Sequence, residues 1–151
     1  MIKTKILRKA MHDIAAQRGE FTLFALLLRE DGPGSWDLVV SAPWLAGGQL
    51  KATLEFVRLL AQAIGKRSLQ QFARFVVLNS NDIPVKFILE NIPVEDGEIH
   101  IQRTDLRSIQ IEEGIIFRSM KPKPRAARLR NASAQSEKRS RKVGTTSSTS
   151  R

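Results

Sequence analysis

The chain has 151 residues with 25 Lys+Arg against 15 Asp+Glu, a formal charge of +10, and 42% hydrophobic residues, two histidines and no cysteine. That content suffices for one buried core and excludes a fibrous, collagen-like or wholly disordered chain, while the missing thiols exclude disulfides, thiolate metal sites and cysteine nucleophiles. Apolar runs such as Phe24 to Leu28 and Ile115 to Phe117 fall far short of the roughly 18 to 20 residues of a membrane span, so no transmembrane segment is expected.

From Thr4 to Arg18, Ile6, Leu7, Ala10, Met11, Ile14 and Ala15 share one helical face, and Gly19 suits the C-terminal stop. Lys3, Lys5, Arg8 and Lys9 give this segment a basic outer side, but no uninterrupted apolar stretch follows as a secretory signal requires. Asp13 and Glu20 suit an integral first helix better than an organellar transit peptide, and a cytoplasmic location is the expectation. Phe21 to Leu28 is an apolar run of strand length. After the Asp31-Gly32-Pro33-Gly34 turn, Trp36, Leu38, Val40 and Ala42 alternate with residues that include Asp37 and Ser41. The two runs predict an antiparallel hairpin with a half-buried second strand, Trp36 in phase with its apolar side.

Pro43, Trp44 and Gly47-Gly48 form a break. Leu50, Leu54, Val57, Leu60, Ala61 and Ile64 then recur at helical spacing up to Gly65, and Ser68 suits the cap of a short turn. Phe75 to Leu78 predicts a third strand, closed by the polar loop Asn79-Ser80-Asn81-Asp82. Pro84 opens and Pro93 stops a helix bearing Val85, Ile88, Leu89 and Ile92. Ile99 and Ile101 alternate with His100 and Gln102, and a last strand carries Ile109, Ile111, Ile115 and Phe117, with Glu112-Glu113-Gly114 as a bulge or bend. The order α-β-β-α-β-α-β-β predicts an α+β fold over residues 1–118: a roughly five-stranded, mostly antiparallel or mixed sheet with helices packed on at least one face.

The charge is not spread evenly. Residues 1–118 hold 15 Lys+Arg and 14 Asp+Glu, whereas residues 119–151 hold 10 Lys+Arg against Glu137 alone. The tail lacks aromatic residues and apolar periodicity, and such a segment cannot offset the ~1 to 2 kcal/mol per residue of backbone ordering, so it is expected to be disordered. Its basic groups are Lys121-Lys123-Arg125, Arg128-Arg130 and Lys138-Arg139-Arg141-Lys142. Cations of this kind bind nucleic acid or another polyanion by releasing condensed counterions, without sequence preference.

Within the domain, Asn79, Ser80, Asn81 and Asp82 follow a strand and precede a helix, a place where α/β proteins hold ligands and where such residues also serve as caps. Trp44, outside the strand alternation, and its neighbour Pro43 are the candidate partner-binding residues. Gly65-Lys66-Arg67-Ser68 lacks the spacing and the preceding strand of a phosphate-binding loop. A metal-dependent nuclease with two carboxylates and a lysine on adjacent strands is not supported either: Glu20 and Asp37 come together only if the hairpin register allows it, the second strand offers Val39-Val40-Ser41 where an acidic-x-Lys triplet is needed, and Glu98-Ile99-His100 lacks the lysine. No Ser-His-Asp arrangement can be built from His12 and His100, and no catalytic residue, cofactor or metal is assigned. The sequence therefore supports a non-catalytic accessory module whose domain binds a protein partner or its own copy while the tail binds nucleic acid or another polyanion. The alternative is a small enzyme acting on a phosphorylated or nucleic-acid substrate, with Asp37, Asp82 or nearby carboxylates around a magnesium-like ion.

Overall fold

Leu7, Ala10, Met11 and Ile14, spaced three or four apart, form the buried face of α1 (Thr4–Arg18) in the computed structural model, which describes residues 3–31, 34–107 and 109–122. Gly19, at φ 115°, ends this helix with its N–H bonded to the Ala15 carbonyl, a backbone conformation that favours glycine. The chain continues as β1 (Leu23–Arg29), β2 (Trp36–Ser41), a 3-10 turn at Pro43–Gly48, α2 (Leu50–Ile64), the one-turn α3 (Lys66–Leu69), β3 (Arg74–Val77), α4 (Ile83–Asn91), β4 (Ile99–Asp105) and β5 (Gln110–Ser119). The expected α+β class and element order hold, and the sheet is mixed and five-stranded.

Strand order is β3-β2-β1-β5-β4. β1 pairs antiparallel with β2 and β5, β4 antiparallel with β5, and β3 parallel with β2. A parallel neighbour needs a crossover, and α2 supplies it. β1 sits in the centre, which explains its continuous apolar run: Phe24 and Leu26 face one side, Leu23, Ala25 and Leu27 the other. The first side is covered by α1 and by Phe56, Leu59 and Leu60 of α2. The second is covered by Val85 and Ile88 of α4 and by Leu106. Helices thus lie on both faces, so β2 is not the half-buried ribbon its alternation suggests, and Asp37 and Ser41 are both 2% exposed.

The irregularity expected around Glu112-Glu113-Gly114 resolves into two separate features. Leu28 pairs with Glu113 and Arg29 with Ile111, so the register skips Glu112. That skip lets Ile111 and Ile116, five residues apart, point to the same α4-side core. Gly114 is instead regularly paired between Leu27 and Ile101. It lies where the side chains of those two residues close over the backbone, leaving no room for a Cβ.

Both sheet edges are blunted. β3 has four residues, and β4 is interrupted by Arg103 in the left-handed region at φ 44°. The compact unit runs to Lys121; the rest of the basic tail, from residue 123, lies outside the described residues. Among the described residues no helix is long and apolar enough to cross a membrane.

Candidate functional site

The two loop candidates of the sequence meet at the C-terminal end of the parallel β2–β3 pair. The Gly47 N–H donates to Asn79 Oδ1 at 3.0 Å, tying the Pro43–Gly48 turn to the loop after β3. Between them lies a concavity of about 360 Å³ that Ser41, Pro43, Asn79, Ser80, Asn81 and Asp82 help to line. Asp82 occupies the N-cap of α4, but its side chain makes no capping bond. The carboxylate instead accepts the Asn79 N–H at 2.8 Å, while the Asp82 N–H donates to the Asn79 carbonyl at 3.0 Å. These polar groups are largely occupied in closing the loop on itself and on the turn.

Trp44 lies beside this concavity without lining it. Its ring is half-buried, edge-on to Phe21 and tilted to Phe56, with the Arg18 guanidinium 5.1 Å from the ring centre. Its buried indole Nε1 has no hydrogen-bond partner among the described residues. Pro43 is exposed. Of the tail cations, Lys121 is described, exposed, and borders a second concavity of about 390 Å³ with Ser80 and Asn81. Lys123, Arg125, Arg128, Arg130, Lys138, Arg139, Arg141 and Lys142 lie outside the described residues.

The carboxylates of the enzyme alternative do not gather. Asp37 pairs in register with Arg74 at the start of β3, and Asp82 follows the end of β3, so the two stand at opposite ends of the parallel pair. Buried Asp37 accepts from Arg29 Nε at 3.0 Å and from Arg74 Nη2 at 2.8 Å, a fully paired internal charge. Glu112 and Glu113 are exposed on β5. Among the described residues no three His, Asp or Glu side chains converge closely enough to hold a metal ion.

Two contacts pin α1 to the segment entering β4. Arg8 and His12 both reach Asp96, at 3.2 and 2.9 Å. Burial works to raise the Asp96 pKa, but the hydrogen bonds from His12 and Arg8 outweigh it and hold the carboxyl below its ordinary value. Glu98 is likewise lowered, chiefly by a hydrogen bond from Thr4, with His100 adding to it.

The largest departure from expectation is on α2. Its buried residues are Phe56, Leu59 and Leu60, whereas Leu50 is 71% and Leu54 58% exposed. Leu50, Leu54, Val57, Ala61 and Ile64 therefore form a second apolar row on the outward margin of the helix, the last three only half-buried. A polar row, Lys51, Glu55, Arg58 and Gln62, runs alongside it. Arg58 grips Glu55 there through two bonds of 3.0 and 2.8 Å, lowering the pKa of the carboxyl. The apolar excess of α2 is legible in its sequence; which of its two apolar rows faces the core is not. No protein-family model, curated protein or solved structure matches this chain.

Proposed function

We propose that this protein is a non-catalytic interaction module: its near-neutral domain binds a protein partner through the outer face of α2, and its basic tail, residues 119–151, holds nucleic acid or another polyanion without sequence preference. The exposure of Leu50 and Leu54, aligned with Val57, Ala61 and Ile64, carries the reading. Scattered exposed leucines are ordinary, but two exposed leucines one turn apart, continuing an apolar row whose Val57 and Ile64 rest against the core, are what a helix presents to a partner. The blunted edges of β3 and β4 make strand addition a poorer route to the same end. The tail half of the reading is supported by ten Lys+Arg against Glu137 alone. A cytoplasmic site of action belongs to the same proposal.

The test is titration of labelled duplex DNA and single-stranded RNA with the full chain and with the variant carrying Lys138→Ala, Arg139→Ala, Arg141→Ala and Lys142→Ala. Binding of both nucleic acids by the full chain, weakened to a similar extent for each in the variant, is the expected result. Equal binding by the two proteins overturns the assignment to the tail.

A further inference from the structure

The concavity at the C-terminal ends of β2 and β3 lies where the connections of the sheet change sides. The chain leaves β2 for α2 on one face and leaves β3 for α4 on the other. Open sheets hold ligands at such a place, outside the carboxyl ends of parallel strands. Two residues that the sequence pattern does not single out as a pair, Thr22 and Ser41, line it, each 2% exposed. Backbone bonds fix both. The Thr22 N–H donates to the Ser41 carbonyl at 2.7 Å, the Thr22 carbonyl accepts the Met120 N–H at 2.9 Å, and Ser41 pairs with Leu23 of β1. Neither side-chain hydroxyl has a hydrogen-bond partner among the described residues. Buried hydroxyls in native proteins are bonded, so the bonding capacity of these two is turned to whatever enters the concavity.

We propose that this concavity binds the vicinal diol of a sugar ring. The charge of its walls decides the class of ligand. Among the described residues that line it there is no Lys or Arg, and Asp82 is the one charged side chain. A phosphate or carboxylate ligand therefore finds no counter-charge there and is repelled by Asp82. A divalent cation finds a single carboxylate, with no second acidic side chain to join it. What the walls do offer is groups that both donate and accept: the hydroxyls of Thr22, Ser41 and Ser80 and the carboxamide of Asn81. Asp82 Oδ2 is taken by the Asn79 N–H, which leaves Oδ1 to accept from a ligand hydroxyl, as acidic residues accept from ribose hydroxyls. Ala42, Pro43 and Ala46 give the C–H face of a ring an apolar wall. A volume of about 360 Å³ is at the lower end of the range for small-molecule sites and suits one ring, not a chain of them. The furanose of a nucleoside and a free pyranose share this chemistry. The inference depends on neither the tail nor the outer face of α2.

Amide NMR spectra of the full chain, titrated to about 10 mM with adenosine, its 2′-deoxy analogue, D-mannose, D-galactose or inorganic phosphate, test it. Saturable shifts of the Thr22, Ser41, Gly47 and Asn81 amides are expected with adenosine or with one of the two sugars. Adenosine identifies the source as a nucleoside and must then bind about tenfold or more tighter than the deoxy analogue, which lacks the diol; a sugar identifies it as free carbohydrate. Ser41→Ala and Thr22→Val should each weaken binding about tenfold with a thermal melt no lower than that of the wild-type chain, because each removes an unpaired buried hydroxyl. Asn81→Ala, at an exposed position, should weaken binding about threefold at an unchanged melt, and it carries the test if the buried variants do not fold. Saturable shifts with phosphate, equal binding of adenosine and its deoxy analogue, no response to adenosine or either sugar, or full affinity in the variants would overturn the inference.

Discussion

Gly114 offers a test of the packing that holds three strands in register. An ideal Cβ at this position would lie 2.9 Å from Ile101 Cγ1, 3.0 Å from Leu27 Cδ2 and 3.1 Å from Ile101 Cδ1, all inside ordinary van der Waals contact. Its backbone is outside the left-handed region, so alanine meets a packing objection and no backbone strain. Overpacking of this kind costs about 1–3 kcal/mol. The reduced entropy of the unfolded chain returns about 0.4–1 kcal/mol. Gly114→Ala should therefore lose roughly 1–2 kcal/mol in urea unfolding followed by circular dichroism, and roughly 4–10 °C in Tm. Two of the three contacts belong to Ile101, so Ile101→Ala in the same chain should relieve most of the clash. The double variant should be more stable than the sum of the single losses by about 1 kcal/mol. A Gly114→Ala protein as stable as wild type, or strictly additive substitutions, would refute the account of this crossing.

The buried carboxylate of Asp37 has two guanidinium partners, at 29% and 51% side-chain exposure for Arg29 and Arg74. Arg29→Ala and Arg74→Ala should each cost about 1–3 kcal/mol, because one partner remains. Together they should cost more than their sum, by about 1 kcal/mol or more in equilibrium unfolding, because the charge is then uncompensated; additivity would count against a shared role. The lowered folded-state pKa values of Asp96 and Glu98 give a stabilising contribution that is complete above the unfolded carboxylate range and lost as pH falls through the folded values. Stability measured down an acid series should therefore fall less steeply for Asp96→Asn than for the wild-type chain, and parallel profiles would contradict the assignment. Trp44→Phe removes an indole N–H that has no partner among the described residues; its cost in thermal unfolding should stay below about 1.5 kcal/mol, and a larger loss would mean that the N–H is bonded.

The extents of the two long helices are legible because periodicity reports a local fact. α1 runs from Thr4 to Arg18 and α2 from Leu50 to Ile64 as their spacing predicts. Burial on both faces is a tertiary fact, and it misled the reading of β2. Asp37 looks like the solvent side of a ribbon, yet α4 closes the other face of the sheet and Arg29 and Arg74 neutralise the charge from neighbouring strands. Arginines at the ends of β1 and β3 were the available signal, but their use required the strand order. On α2 the sequence supplies apolar residues around most of the helix, and only packing against Phe21 and the sheet selects Phe56, Leu59 and Leu60 over Leu50 and Leu54. Of the loop candidates, the polar run after β3 and the Pro43 turn were each visible. That they enclose one concavity follows from the parallel β2–β3 pairing, which a hydrophobic pattern does not encode.

The salt dependence of nucleic-acid affinity tests the proposed function most directly. With the affinity of the full chain for duplex DNA plotted as log K against log salt concentration, each neutralised phosphate contributes about −0.9 to the slope. Replacing Lys138, Arg139, Arg141 and Lys142 by alanine should make that slope shallower by about 3 to 4, if all four engage phosphate, and lower the affinity at every salt concentration. An unchanged slope in the variant, or no measurable binding by the full chain at low salt, would contradict the account.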